Sequence, residues 1–446
     1  MNINIFWFRR DLRLQDNAGL HHALKSGNPV LPIFIFDKKI LDYLEDSDDA
    51  RVTFLHDTLT ELKSELEALG STLLVFYGNP IDIWKKMTTE NTVEKVFTNH
   101  DYEPYPLQRD KEIKEFLNAQ NIDFQIFKDH VIFEYDEVTK DDGKPYTVFT
   151  PYSRKWKAKL DSQLSDYQNS KISFYLKPYP TKKYFQNFYK QIAPLSIPTL
   201  ESMNFKRSSI AMPSKTVARS VVINYDKTRN FPALSQGTTK LGIHYRFGTI
   251  SIRAKALAAM SLNETYLNEL IWRDFYSQIL QHFPHIAEGK AFRPEYDRIA
   301  WRSDEVAFQK WCDGKTGYPI VDAGMRELNA TGYMHNRVRM IVSSFLTKHL
   351  LLDWRLGEAY FAKKLLDFDF SSNNGGWQWA SGSGTDAAPY FRIFNPTEQQ
   401  KKFDSEFKYI RGWVPEYGTL QYPQPIVDHK EARERCLRVY AEALKK

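Results

Sequence analysis

The sequence is poor in the features that mark several common protein classes. It has two cysteines, Cys312 and Cys436, in 446 residues. They are far apart and in no metal-ligand spacing, so no disulfide framework and no zinc site is implied, and a reducing compartment fits. No metal is expected. No apolar run approaches the ~20 residues of a membrane-spanning helix. The opening stretch, Met1 to Arg13, sets its charges after a short apolar run, unlike a secretory signal. These absences predict a cytoplasmic protein with no membrane partner. No GxGxxG or Walker motif follows any apolar run, so the usual dinucleotide and triphosphate signatures are missing. There is no internal repeat and no low-complexity tract. No heptad pattern argues for a dimer, so a monomer is expected.

What the chain does have is length, aromatic rings and an uneven charge. A chain of this length splits into two or three domains. Aromatic residues are 15%, a high share, and such rings stack on other flat ring systems as well as filling cores. Residues 1–130 carry 15 Lys and Arg against 22 Asp and Glu, whereas the remaining residues carry 46 against 33. The basic part could meet a polyanion and the acidic part should not.

Residues 1–130 alternate short apolar runs (Ile3–Phe8, Val30–Phe36, Thr72–Tyr77, Val96–Thr98, Phe124–Phe127) with amphipathic stretches, the clearest being Arg51–Leu69. This alternation predicts an α/β domain, a doubly wound parallel sheet with helices on both faces. Residues 131–205 are rich in Tyr, Lys and Pro with weak periodicity, and read as a connector with short helices. From about residue 206 the pattern is helical, as in Glu269–His282, Arg337–Leu352 and Leu356–Phe368.

Four segments carry residue types suited to chemistry. Gly237-Thr238-Thr239-Lys240-Leu241 could present backbone N–H groups, hydroxyls and a cation to a phosphate. In Asn336-Arg337-Val338-Arg339-Met340, a helix sets Asn336 and Met340 on one face and Arg339 beside Asn336. One of these arginines could pair with Asp367 or Asp369. The run Asn373-Asn374-Gly375-Gly376 predicts a left-handed or otherwise tight loop that brings backbone close to a ligand. It leads into Trp377-Gln378-Trp379, whose rings can diverge, one inward and one toward a cavity. Glu269 and Trp272 stand three apart on one helix face, and a carboxyl beside a Trp in an apolar pocket would have a raised pKa and could remain protonated. Taken singly, each segment also fits a plain turn, a solvated helix face or core packing. Their order and spacing carry more.

In that order and spacing the chain resembles the photolyase/cryptochrome family over essentially its whole length. The resemblance opens with Phe6-Trp7-Phe8-Arg9-Arg10-Asp11-Leu12-Arg13 and Asp16-Asn17. It is densest from Trp311 to Trp413, through WCDGKTGYPIVDAGMRELNATGYMHNRVRM, DWRLGEAYF and NNGGWQWASGSGTDAAPYFRIFNP. Within the family it is most similar to class I cyclobutane pyrimidine dimer photolyases. The implied organisation is an α/β antenna domain over 1–130, a connector over 131–205 and an all-α FAD-binding domain over 206–446.

The resemblance also implies roles. Tyr225, Thr238, Thr239, Lys240 and Leu241 would hold the FAD diphosphate and its neighbours. Arg273, Asn336, Arg339, Asp367 and Asp369 would complete the pocket, with Asn373 facing flavin N5. Glu269, Trp272, Asn336, Met340 and Trp379 would receive the lesion. Trp377, Trp354 and Trp301 would pass electrons from the surface to the flavin. Arg229, Arg337 and Arg392 would contact phosphates of duplex DNA containing pyrimidine dimers. The implied activity is light-driven electron transfer from reduced FAD that splits such dimers; a blue-light receptor without repair on the same scaffold is the alternative. Two departures stand out. Leu241-Gly242-Ile243 replaces the family's Leu-Ser-Pro, and Tyr102-Glu103-Pro104-Tyr105-Pro106 lacks the Asn-Glu pair with which some relatives hold folate. A second, antenna chromophore is therefore left open among folate, a deazaflavin, a flavin or none.

Overall fold

The five apolar runs of the N-terminal region become five parallel strands: β1 (Ile3–Phe8), β2 (Val30–Asp37), β3 (Leu74–Gly78), β4 (Val93–Asn99) and β5 (Asp123–Phe127). Their order in the sheet is β3-β2-β1-β4-β5, with Ile5 opposite Leu31 on one side and Val96 on the other. Successive side chains of a strand face opposite ways. Phe6, Phe8, Phe34, Phe36 and Phe97 thus build one core, while Ile3, Ile5, Trp7, Ile33, Ile35 and Val96 build the other. Helices α1 (Ala18–Lys25), α2 (Ala50–Ala68), α3 (Pro80–Glu90) and α4 (Pro104–Asn118) flank the strands in sequence. Asn17 caps α1 by accepting from the Leu20 N–H at 3.1 Å, satisfying one of the donors that a helix start leaves orphaned.

The computed structural model describes residues 2–190 and 195–445. It divides into two compact units that are not contiguous in sequence, unlike the expected segments. The first comprises Met1–Glu134, Lys157–Lys215 and Leu241–Ala258; the second comprises Tyr135–Trp156, Thr216–Lys240 and Ala259–Lys446. The stretch expected to be a connector is thus shared between them, for identifiable reasons. Within the second unit, the Trp156 indole donates to Asp274 at 3.0 Å and the Gln278 amide donates to the Val138 carbonyl at 3.1 Å. Within the first, the Tyr189 N–H donates to the Val30 carbonyl at 2.8 Å. That unit also holds an antiparallel hairpin, Leu164–Tyr167 with Ser170–Ser173, where the sequence suggested short helices. Leu241–Ala258 joins it because Arg253 reaches Asp16 and Asp129 at 2.9 and 2.7 Å.

The second unit is helical. The segments that matter below are α5 (Phe149–Asp161, of which Phe149–Trp156 belongs here), α6 (Glu264–His282), α7 (Pro319–Thr331), α8 (Asn336–Ser344), α9 (Trp354–Lys364), α10 (Phe370–Ser381) and α11 (His429–Leu444). Helix α10 packs against α6, α8 and α9. Gly357 of α9 makes room for it: a Cβ there would lie 2.0 Å from the Trp377 ring. Among the described residues no helix is long and apolar enough to cross a membrane.

Candidate functional site

Helix α6 is set by its cap, the Asn263 side chain accepting from the Tyr266 N–H at 3.1 Å. Its partly exposed face carries Glu269, Trp272 and Arg273. Glu269 has a partner that the sequence did not indicate: Arg229 ion-pairs with it. Burial pushes its pKa up, and the Arg229 guanidinium works against that rise. The same contact sets Arg229, expected at a DNA phosphate, against Glu269 and 5.3 Å over the Tyr225 ring, partly exposed. Trp272 is stacked face to face with Phe149, centroids 3.8 Å apart.

Helix α8 starts at Asn336, which is exposed, with Met340 partly exposed one turn later. Its cap is His335, whose Nδ1 accepts from the Arg337 N–H at 3.2 Å. Burial, aided by Arg339 and Arg337, lowers the His335 pKa to about 4, so the ring is neutral at physiological pH. Arg339 donates from Nε to the Met334 carbonyl at 2.7 Å and from one terminal nitrogen to both oxygens of Asp367 at 3.0 and 2.9 Å. Of the two aspartates offered by the sequence, Asp367 takes the arginine. Asp369 caps α10, accepting from the Ser372 N–H at 3.1 Å. Arg337 is half-buried, donating to Asn230 at 2.7 Å with its guanidinium 4.4 Å over the Phe403 ring. Arg392 is exposed.

The segment Asn373–Gly376 is a further correction. It lies inside α10, in regular helix and not in a tight loop. The glycines answer to packing: a Cβ on Gly375 would meet the Tyr276 ring at 2.3 Å, while Gly376 faces open space. Propensity for a turn is overridden by the close approach of α10 to α6. Asn373 is buried, and its amide donates to the carbonyl and carboxylate oxygens of Glu358, both at 3.0 Å. The two rings of Trp377-Gln378-Trp379 do diverge. Trp377 is buried against Phe361 and Trp311, with centroids 5.0 and 6.0 Å away. Trp379 is partly exposed and lines a small cavity with Arg392, Phe394 and Lys348. Trp354 is buried in the same apolar cluster as Trp377, and Trp301 packs on that cluster's edge, partly open to solvent.

A second group of side chains forms around two tyrosines. The Thr238 hydroxyl meets the Tyr333 hydroxyl at 3.1 Å, and the Lys240 ammonium lies 5.1 Å over the Tyr333 ring. The Thr239 hydroxyl meets Tyr266 at 3.4 Å, and Tyr266 stands edge-on to Tyr225 at 5.1 Å. Lys240 takes a left-handed φ of 53°. Leu241, the last residue of the expected loop, is buried in the first unit. The donor set of Thr238, Thr239 and Lys240 fits a diphosphate: two hydroxyls and an ammonium, with no carboxylate in the loop itself, while Arg339 is already paired with Asp367. The Nε2 of His335 is buried without a partner, a further polar atom that a bound group could satisfy. These residues suit FAD. Among the described residues no cluster of three or more His, Cys, Asp or Glu is arranged for a metal.

Several of these residues escaped sequence reasoning. Tyr333 and Glu358 lie within the motif runs, and Tyr266 just before the Glu269–His282 pattern, yet nothing in their spacing marks them as contacts. Phe149 sits in the segment taken for a connector, where no periodic signal pointed to Trp272.

Comparison with known proteins agrees with this geometry. A model of the DNA photolyase domain matches residues 4–170, and one of the FAD-binding domain of DNA photolyase matches residues 266–421. The chain is 36% identical to a deoxyribodipyrimidine photo-lyase of Escherichia coli over the full length of both, and 35% identical to one of Halobacterium salinarum over 99% of each. Among solved structures it is similar to a bacterial class III photolyase from Agrobacterium tumefaciens, with a TM-score of 0.83 at 33% identity over 100% of this chain and 98% of the other. It is also similar to an archaeal photolyase from Sulfolobus tokodaii that holds two FAD molecules, with a TM-score of 0.82 at 33% identity over 99% and 100%. With the sheet and the helical unit, the paired Arg339 and Asp367, and full-length identity of this size, the chain belongs to the DNA photolyase family.

Proposed function

We propose that the protein is a deoxyribodipyrimidine photo-lyase that splits cyclobutane pyrimidine dimers in DNA under light. The observation that carries this reading is the packing of one helix on two others. Helix α10, with Asn373 and Trp379, packs on α6, with Glu269 and Trp272, and on α8, with Asn336 and Met340. A receptor without repair would have no need of this set of polar and aromatic groups. The protein acts as a cytoplasmic monomer.

When bound, reduced and photoexcited FAD supplies the electron that opens the dimer and takes it back afterwards. The chain's own residues hold and prepare. Thr238, Thr239, Lys240 and Tyr225 grip the phosphate end, with Arg339 paired to Asp367 nearby. Asn373 spends its amide hydrogens on Glu358, so its Oδ1 is the group left to accept from a ring N–H. Arg392 provides salt-dependent phosphate contact. Flipping a base pair costs roughly a few kcal/mol, and less where the pair is damaged and poorly stacked, which favours the lesion. Trp272 and Trp379 flank the extruded bases.

The Arg229–Glu269 pair adds a proton step. A DNA phosphate competes with Glu269 for the guanidinium. Once Arg229 turns to the phosphate, the effect that opposes burial weakens and the Glu269 pKa rises further, which favours uptake of a proton from solvent by the carboxylate. It can then donate a hydrogen bond to a dimer carbonyl where negative charge develops, alongside the Asn336 amide.

The test is repair of a dimer-containing duplex by photoreduced protein, in blue light and in darkness, for wild type and two variants. Light-dependent recovery of intact pyrimidines is expected. Glu269→Ala should keep FAD and lose about tenfold in yield per photon, the equivalent of one charge-assisted hydrogen bond at about 1.4 kcal/mol. Glu269→Gln, a permanent donor, should keep most of the yield and remove its decline at alkaline pH. Absence of repair by wild type with FAD bound and reduced would overturn the reading. Equal yields from the Ala and Gln variants would overturn the proton step.

A further inference from the structure

We infer that Phe149 is a positioning residue of the lesion pocket: it holds Trp272 as a one-sided aromatic platform and thereby sets affinity for an extruded dimer. The inference rests on Trp272 being that platform, as proposed above. The two rings lie 3.8 Å apart at an interplanar angle of 3°. Aromatic pairs left to themselves settle offset or edge-on, with centroids about 4.5–7 Å apart, so the surroundings impose this face-on stack.

Those surroundings are specific. The Phe149 N–H donates to Asp386 at 3.3 Å, and the Thr147 carbonyl accepts from the Thr385 hydroxyl at 2.6 Å. Asp386 takes a left-handed φ of 49°, a conformation that a non-glycine residue keeps only when its neighbours fix it. Phe275 closes the rim, edge-on to Trp272 at 5.5 Å and to Phe149 at 5.9 Å, and Tyr276 tilts against Trp272 at 5.4 Å.

The consequence is geometric. One face of the indole is covered and its rim is held, so only the remaining face can receive a base. A tryptophan free to swing would lose rotamer freedom on binding; here that freedom is already lost on folding. Such preorganisation is worth about three- to tenfold in affinity for one large side chain. It acts on the extruded dimer and leaves backbone contacts to intact DNA unaffected. Trp156 and Tyr152, further along the same helix, anchor the segment through Asp274 and Phe275, so the ring at position 149 can be changed without releasing the helix.

The experiment uses the full FAD-loaded chain with Phe149→Leu and Phe149→Tyr. Three quantities are measured: dissociation constants for dimer-containing and intact duplex, repair yield per photon at saturating substrate, and bound FAD by absorbance. Phe149→Leu should bind the damaged duplex about three- to tenfold more weakly, with intact-duplex affinity, saturated yield and FAD content unchanged. Phe149→Tyr should restore wild-type discrimination. Undiminished preference for damage in Phe149→Leu, equal weakening toward both duplexes, or failure of the Tyr variant to rescue would each overturn the inference. If the Leu variant does not fold, Asp386→Ala loosens the same stack from its anchor. A smaller loss of damage preference is expected there, and no loss would overturn the inference. Wild-type protein that does not prefer damaged duplex would instead overturn the reading of Trp272, and this inference with it.

Discussion

The two units differ in how fully their buried charges are locked together. In the first, buried charges are locked together. Arg9 binds Asp110 and the Asn99 carbonyl, Arg10 binds Asp101 and Glu103 at 3.0 and 2.9 Å, and Arg13 and Arg253 share Asp129. In the second, Arg339 is locked to Asp367 in the same way, but other charges are held more loosely. Glu269 and Arg229 keep 29% and 22% of their side-chain surface open, and Lys348, only 2% exposed, rests on a carbonyl and a tyrosine ring instead of a carboxylate. A locked network fixes a scaffold; a loosely held one can change partners or protonation when a substrate arrives. The contrast separates a region built to stay from one built to respond.

The contrast is broken most forcefully at Asp129. Its carboxylate accepts from Arg13 and Arg253, both at 2.7 Å, and from the Ala18 N–H at the start of α1 at 3.1 Å. Removing one partner of a buried ion pair leaves the other charges uncompensated, at a cost of about 3–5 kcal/mol. Asp129→Ala should lose stability of that size in urea titrations at pH 7. The two guanidiniums hold the Asp129 carboxyl well below the usual carboxylate range, against the opposing effect of burial. Its folded pKa is depressed, so its contribution is complete above pH 4–5 and is lost as pH falls further. The gap between wild type and variant should therefore close in acid. A gap that persists unchanged at pH 2 would mean the loss is not electrostatic.

Lys348 tests the other side. Burial lowers its pKa to about 7. Its ammonium donates to the Ser381 carbonyl at 2.7 Å and lies 3.8 Å from the Tyr440 ring centre. Below pH 7 the folded protein carries this buried charge at full cost. As pH rises from 7 toward 10.5 the unfolded chain still binds the proton and the folded one has released it, so stability rises. Lys348→Met should raise stability at pH 6–7 by on the order of 2–4 kcal/mol, at about 1.4 kcal/mol per pKa unit. The advantage should shrink toward pH 10. The Ser381 carbonyl is not stranded by the change, because the Tyr440 hydroxyl also donates to it at 2.9 Å. A variant that is less stable than wild type at pH 6 would show that the lysine holds the end of α10 by charge.

The same contrast governs what could be read from sequence. The sheet was legible because strand alternation is a local signal: the five apolar runs became β1 to β5, and Arg51–Leu69 became Ala50–Ala68. The pocket residues were named through a resemblance to a family; the residue types alone offered one of two arginines to Asp367 or Asp369, and the pair formed is Arg339 with Asp367. What escaped depends on who faces whom. Nothing local says that Arg229 reaches 40 residues ahead to Glu269, or that Phe149 covers Trp272. Likewise Asn373–Gly376 reads as a turn, since its four residues all disfavour helix; the packing of α10 against α6 decides otherwise.

The finest test lies between two adjacent glycines of that helix. Gly375 and Gly376 share a helical backbone, so replacing either with alanine gains about 0.8–1.0 kcal/mol of intrinsic helix propensity. Their surroundings differ. At Gly375 a Cβ would sit 2.3 Å from the Tyr276 ring, a partly exposed ring next to Phe275 on α6, whereas at Gly376 it meets nothing within 4 Å. Overpacking costs about 1–3 kcal/mol, so Gly375→Ala should be destabilised by up to about 2 kcal/mol once the propensity gain is subtracted. It should also shift Tyr276, and with it the Trp272 platform, so preference for damaged duplex should fall. Gly376→Ala should gain somewhat less than 1 kcal/mol. If that variant binds damaged DNA as wild type does, Gly376 owes its presence to neither packing nor ligand. If it gains stability but loses repair, the open space beside Gly376 is occupied during the reaction, and the helix was kept weak there to admit a substrate or cofactor atom.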